Sequence, residues 1–249
     1  MSHPVGNIKI KIIKFSAEYL NKFLIFFLSF FIKIDKKRSE IIISNAILAP
    51  WKFDEKFQHI YKKIRSKTIL DVRRLYTLWY YAKLLSHKRG AILDLGCLLG
   101  GAGFLLSYAN KSGNVYLIDT FEGYVDKSKF FKTGVFDYAS VNEVEENIYH
   151  LKLRNTFVIK TNFPHIKNKI KYFDKIKMCH IDMNTYESTK KSFFFIHDKI
   201  IKGGVVVFDD YGTYGADKIV AFVNKIEKKY KKFYNFFYNY QGQCVLIRK

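Results

Sequence analysis

The chain has 249 residues, 49% of them apolar, which is enough for one α/β domain with a decorated end. Its formal net charge is +21, and residues 1–90 carry +13 of that; the imbalance favours anionic lipid, nucleic acid or an anionic substrate, unless the lysines are only a solvated surface. Cys97, Cys179 and Cys244 lie far apart with no C-x-x-C spacing, which speaks against a disulfide framework or a zinc site and for a reducing, cytoplasmic compartment.

Residues 1–45 form a basic and apolar segment unlike the rest. Phe23 to Ile32 carries no charge and is bracketed by Lys22 and Lys33. As a helix it spans about 15 Å, half of a bilayer core, too short to cross one. No small-residue cleavage site follows it, which argues against a signal peptide. Two readings stay open. Residues 9–37 lie on the inner face of a cytoplasmic membrane, held by lysines such as Lys9, Lys11, Lys14, Lys36 and Lys37, or they pack on the domain or on a second subunit of a homo-oligomer.

Residues 46–89 read as a helical cap over the rim of a sheet, with helices from Asp54 to Ser66 and from Leu70 to Leu85 and Thr68 as N-cap of the second. From residue 90 to residue 249 strands and helices alternate. Strands are predicted at Ala91–Leu95, Asn114–Asp119, Thr156–Lys160, Lys177–Asp182, Gly204–Asp209, Phe233–Tyr238 and Gln243–Arg248. Helices are predicted at Gly101–Ala109, Val141–His150, Pro164–Lys171, Glu187–Ile201 and Gly215–Tyr230. Repeated βα units imply a parallel sheet, and Asn239-Tyr240-Gln241-Gly242 is short enough to close an antiparallel hairpin. A mostly parallel seven-stranded sheet with a reversed C-terminal hairpin resembles the Rossmann-like α/β fold of class I methyltransferases.

Three motifs carry chemistry. Ile92-Leu93-Asp94-Leu95-Gly96-Cys97-Leu98-Leu99-Gly100-Gly101-Ala102-Gly103 is a strand, a glycine turn and a helix start. Gly96 and Gly100 are four apart, which departs from G-x-G-x-x-G and speaks against a dinucleotide pyrophosphate. Asp119 ends the next strand, 23 residues after Gly96, where a carboxylate accepts hydrogen bonds from both ribose hydroxyls; capping a helix is the simpler alternative. The third motif is a pair of acidic strand ends, His180-Ile181-Asp182 and Val207-Phe208-Asp209-Asp210. Parallel neighbours joined by a helix bring Asp182, Asp209 and Asp210 to one rim. Three carboxylates there repel unless neutralised, most simply by a divalent cation. A buried structural Asp182 and a turn-forming Asp209-Asp210 are the competing readings.

Asp119-Thr120-Phe121-Glu122-Gly123, Cys179-His180-Ile181-Asp182 with Tyr186-Glu187-Ser188-Thr189, and Gly203-Gly204 with Asp209-Asp210-Tyr211-Gly212 together resemble the macrocin O-methyltransferase family, which includes the mycinamicin and novobiocin sugar O-methyltransferases. Pro50-Trp51, Thr68 and Arg74-Leu75-Tyr76-Thr77-Leu78-Trp79 extend the likeness to roughly residues 48–249. The resemblance implies S-adenosylmethionine as methyl donor, a divalent cation, usually magnesium, and a sugar hydroxyl as acceptor, free or in a polymeric or lipid-linked glycan. It places donor binding on Gly96, Gly100, Gly101, Asp119, Thr120 and Phe121, and metal ligation on Asp182, Asp209 and Asp210. Asp182, as metal ligand or as adjacent base, is the candidate to take the acceptor's proton, with a metal-bound hydroxyl acting alone as an open alternative. His180, two residues away, is a reserve base or a satisfied core histidine. Two departures stand out: Asp182-Met183-Asn184 replaces the family's frequent Asp-x-Asp, and Tyr124-Val125-Asp126-Lys127 lacks its proline. Arg74 and Trp79 are candidates for lining a pocket, with helix packing an equal account of Trp79. Two other functions compete. The charge and the aromatic run Tyr230–Tyr240 suggest an RNA methyltransferase, which the acid cluster disfavours along with nucleic acid as a partner. A membrane-attached scaffold with a decayed donor pocket is disfavoured by the intact motifs.

Overall fold

The computed structural model describes residues 4–32, 48–123, 136–162, 173–213 and 215–249. Its chain divides into two compact units, Met1–Phe53 and Asp54–Lys249.

The first unit contains α1 (Pro4–Leu28) and a 3-10 turn at Pro50–Lys52. Helix α1 stops inside the apolar run. The Ser29 hydroxyl bonds back to the Phe26 carbonyl at 2.6 Å, competing with the helical ladder, and Phe30 to Ile32 close as tight turns. Phe15, Tyr19, Phe23, Phe26, Phe27 and Phe30 are all exposed, and their spacing of i, i+4, i+8, i+11, i+12 and i+15 makes them one stripe. No described helix is long and apolar enough to cross a membrane. Lys36 and Lys37 lie outside the described residues.

The second unit is built on a seven-stranded sheet with order β3-β2-β1-β4-β5-β7-β6 among the described residues. Its strands are β1 (Ala91–Leu95), β2 (Val115–Asp119), β3 (Thr156–Lys160), β4 (Ile176–Ile181), β5 (Ile200–Phe208), β6 (Tyr234–Tyr238) and β7 (Cys244–Arg248). Pairing is parallel from β3 across to β5 and antiparallel for β7 with both neighbours. Central β1 and β4 are buried along their whole length, which is why they read as unbroken apolar runs and not as alternating ones. The strand order reverses direction between β1 and β4, the place where open α/β sheets bind ligands. In register, Leu95 faces both Ile118 and Ile181, and Ile181 faces Phe208. Asp119, Asp182 and Asp209 therefore emerge at one rim.

Helices α2 (Glu55–Ile64) and α3 (Val72–Leu84) pack on α4 (Gly101–Ala109); α5 (Val141–His150), α6 (Tyr186–Ile196) and α7 (Asp217–Tyr230) complete the layers. Two sequence expectations need correction. Thr68 does not cap α3. Asp71 does, its carboxylate accepting from the amides of Arg73 and Arg74, while Thr68 Oγ1 closes a local turn onto Leu70 N at 3.1 Å. The helix expected from Glu187 to Ile201 ends at Ile196, and β5 begins at Ile200. Ile176 pairs with Ile200 and Met178 with Val205, so β5 carries extra residues there, absorbed by a bulge in which Gly203 takes φ +70°. The helix expected at Pro164–Lys171 lies outside the described residues, as does the loop Tyr124–Lys127.

At the opposite, amino-terminal end of β4 stands a fully buried lysine. Lys177 Nζ donates to Asn110 Oδ1 at 2.6 Å, to the Ser112 carbonyl at 2.7 Å and to the Lys88 carbonyl at 2.9 Å. It ties the segment after α3 to the loop after α4.

Candidate active site

At the rim, a cleft of ≈ 910 Å³ including its open mouth is lined by Thr68, Gly96, Leu98, Asp119, Thr120 and Asp182 among others. Gly96 stands at φ +86°, and a Cβ there would lie 1.9 Å from the Asp182 carbonyl oxygen. Only glycine lets the turn after β1 touch the end of β4. A Cβ on Gly101 would lie 2.4 Å from the Lys67 carbonyl oxygen, so this glycine lets the Lys67–Thr68 segment close over the first turn of α4. The Asp119 carboxylate joins two turns: Oδ2 accepts from Leu98 N at 2.8 Å and Oδ1 from Phe121 N at 3.0 Å. Both amides belong to residues with positive φ. Gly96, Asp119 and Thr120 line the cleft; Gly100, Gly101 and Phe121 stand behind it and shape the turns.

Beside the cleft runs a chain of alternating charges. His180 Nδ1 meets Asp94 Oδ1 at 2.7 Å and His180 Nε2 meets Asp209 Oδ2 at 3.0 Å. Arg74 Nη1 meets Asp209 Oδ1 at 2.5 Å, and Arg74 Nε meets Asp71 Oδ2 at 3.0 Å. Gln243 Nε2 also donates to Asp209 Oδ2, at 2.9 Å, and the Asp210 amide donates to Oδ1 at 3.0 Å. Burial alone would lower the pKa of His180, but the hydrogen bonds to Asp209 and Asp94 outweigh it and hold the imidazolium up at about 10. Burial would likewise raise Asp209, yet His180 and Arg74 hold it down at about 2.

Asp182 and Asp210 have the opposite electrostatics. Burial, then the charges of Asp209 and Asp210, push Asp182 well above the carboxylate range. Burial and Asp209 push Asp210 to about 6. Thr213 donates to Asp210 Oδ1 at 3.0 Å, while the Asp182 carboxylate accepts no hydrogen bond among the described residues. Ligand atoms of His180, Asp182 and Asp209 lie within 4.8 Å of one another.

Two participants carry no role in the sequence reading. Asp94 is fully buried, and its Oδ2 has no hydrogen-bond partner among the described residues; an acid in the middle of Ile92-Leu93-Asp94-Leu95 was the available signal. Gln243 had none, because its partner is 34 residues away. Trp79 is buried and donates to Asp54 Oδ2 at 2.9 Å, so it fastens α3 to the start of α2 and does not line the cleft.

A glycine turn, an acid-tipped second strand and a reversed terminal hairpin around one switch-point cleft define a class I methyltransferase. The sequence profile of the macrocin O-methyltransferase (TylF) family matches residues 67–248, and the chain belongs to that family: it is an S-adenosylmethionine-dependent O-methyltransferase. Solved structures share the fold. The O-methyltransferase NovP superposes with TM-score 0.62 at 18% identity, over 74% of this chain and 82% of that one. CalS11, a calicheamicin methyltransferase, gives 0.56 at 14%, over 81% and 94%. An O-methyltransferase from Bacillus cereus in complex with SAH gives 0.53 at 14%, over 82% and 93%. No curated protein matches the sequence.

Proposed function

We propose that this enzyme methylates a hydroxyl of a sugar, within a glycan or glycolipid, with a divalent cation held at the acid cluster. The observation that carries the reading is a charge surplus beside the donor cleft. Among the described residues, Asp94, Asp182, Asp209 and Asp210 are met by two cations, Arg74 and His180, while Asp71, which shares Arg74, also has Arg73. At full ionisation two negative charges would be left over; burial and the neighbouring aspartates instead favour protons on Asp182 and Asp210, which a cation can replace. An all-oxygen set with a surplus of two charges fits magnesium or manganese. Asp182, grouped with Asp209 within 4.8 Å, has its carboxylate open to hold it, and Asp210, next along the chain, is the remaining candidate ligand. When bound, such a cation lowers the pKa of a hydroxyl and orients its oxygen.

The chain's own residues divide the remaining work. Asp119 accepts from the donor's ribose hydroxyls while bracing the Leu98 and Phe121 turns, and Asp94 on the cleft wall adds negative charge near the donor's cationic end. Thr68 to Leu70 cover the cleft against water. Asp182 takes the acceptor's proton as the new O–CH₃ bond forms and the C–S bond breaks, leaving S-adenosylhomocysteine. His180 has both ring nitrogens committed, so its part is to orient Asp94 and Asp209. Calorimetry with S-adenosylmethionine, and turnover with and without chelator, test this assignment. The expected result is donor binding in every case, with turnover lost on chelation and in Asp182→Asn. Undiminished turnover after chelation removes the cation, and absent donor binding removes the enzyme reading.

We further propose that residues 9–37 lie at an anionic membrane surface. Support comes from the aromatic stripe of α1, with Phe23 61% exposed, in an apolar run that Lys22 and Lys33 bracket in the sequence of the more basic third of the chain. A chain lacking residues 1–45 is expected to leave the membrane fraction. Unchanged partitioning excludes this anchor, and loss of self-association without loss of partitioning assigns the stripe to a second copy instead.

A further inference from the structure

Resting on the cation reading above, we infer that Arg74 competes with the divalent cation for Asp209, and that this guanidinium sets how tightly the site holds metal. A carboxylate offers about four lone-pair positions. In Asp209 four donors occupy them: Arg74 Nη1 and the Asp210 amide on Oδ1, His180 Nε2 and Gln243 Nε2 on Oδ2. The third aspartate of the cluster is therefore already filled, unlike Asp182.

One of the four donors can leave. His180 and Gln243 are buried, at 1% and 0% exposure, and the Asp210 amide is backbone. Arg74 enters from α3, its side chain is 18% exposed, and its Nε already rests on Asp71 at 3.0 Å. Asp71 caps α3 and is itself part-exposed. The guanidinium can give up Oδ1 of Asp209 and keep its second carboxylate, whereas His180 has no vacancy to move into. Both lone pairs of Oδ1 are taken, by Arg74 and by the Asp210 amide, so a metal ion reaches this oxygen only when one of them leaves. Of the group His180, Asp182 and Asp209, whose ligand atoms lie within 4.8 Å of one another, a metal bound with Arg74 seated finds only Asp182 open; with Arg74 withdrawn it gains Asp209.

Manganese binding to the full chain, without donor or acceptor and read by electron paramagnetic resonance, separates the possibilities. Arg74→Gln removes the competing charge next to the site and is expected to tighten Mn²⁺ binding by on the order of tenfold or more. Arg74→Lys keeps the charge but loses the fork that spans Asp71 and Asp209, and is expected to fall between the two. Equal or weaker binding in a folded Arg74→Gln chain, judged by circular dichroism and melting, overturns the inference. Should that variant fail to fold, Arg74→Lys decides alone: binding no tighter than in the unaltered chain overturns it. If no chain binds Mn²⁺ at millimolar concentration, the cation reading falls and this inference falls with it; if all bind equally, only the role of Arg74 falls.

Discussion

Replacing His180 by glutamine tests the charge chain directly. In the native protein a buried imidazolium donates to two buried carboxylates, Asp94 at 2.7 Å and Asp209 at 3.0 Å. Removing one partner of a buried ion pair costs about 3–5 kcal/mol, because the abandoned charge stays buried. Glutamine still supplies an amide donor to one carboxylate, which points to the lower end, about 3 kcal/mol. For a chain of this length that is a loss of roughly 6–12 °C in Tm. The pH dependence is sharper than the magnitude. His180 titrates at about 10 in the folded protein against 6.5 for the ordinary group. Its stabilisation is therefore complete below pH 6.5 and is lost as pH rises toward 10. In chelator-treated protein the stability gap between native chain and variant narrows by about 1.4 kcal/mol per pH unit from pH 7 to pH 9. Urea denaturation at several pH values measures it. A gap below 1 kcal/mol at pH 7, or one independent of pH, would refute the buried imidazolium.

Asp119→Ala removes a charged acceptor of two backbone amides and of the donor ribose, and is expected to weaken S-adenosylmethionine binding by about 10- to 100-fold in calorimetry; an unchanged Kd sinks the ribose assignment. Gly96→Ala forces a Cβ to 1.9 Å from the Asp182 carbonyl oxygen at a positive φ, and both donor affinity and turnover are expected to fall together. If only one falls, the two halves of the site are not braced by this contact. Lys177→Met leaves a cage of buried oxygens without their donor, with an expected loss of about 3 kcal/mol or more in denaturant unfolding and no change in KM for the donor.

The site was legible where chemistry sits at a strand end. Asp119, Asp182 and Asp209 each follow an apolar run, and hydrophobic pattern alone assigns them to the same rim. Local boundaries were legible less often. Thr68 and Asp71 are both capping residues, and the choice between them depended on a carboxylate reaching two amides where a hydroxyl reaches one. Gly204 read as the opening of a strand, yet it lies at a bulge within one, because Ile200 had already paired with Ile176. The Arg74–Asp209 pair spans 135 residues, and no spacing in the chain announces it. His180 looked like a possible base from its place beside Asp182; its actual partners come from β1 and β5, so they exist only once the sheet is assembled.

Strand β4 divides its labour along its length. Lys177 fastens its first residues to the loops beneath the sheet, His180 stands near its last, and Asp182 follows directly after it. Foundations and chemistry are thereby held at opposite ends of a single buried strand. Substitutions that retune the rim for a new acceptor need not loosen the base, and a lineage can explore substrates there while the lysine knot keeps the scaffold standing.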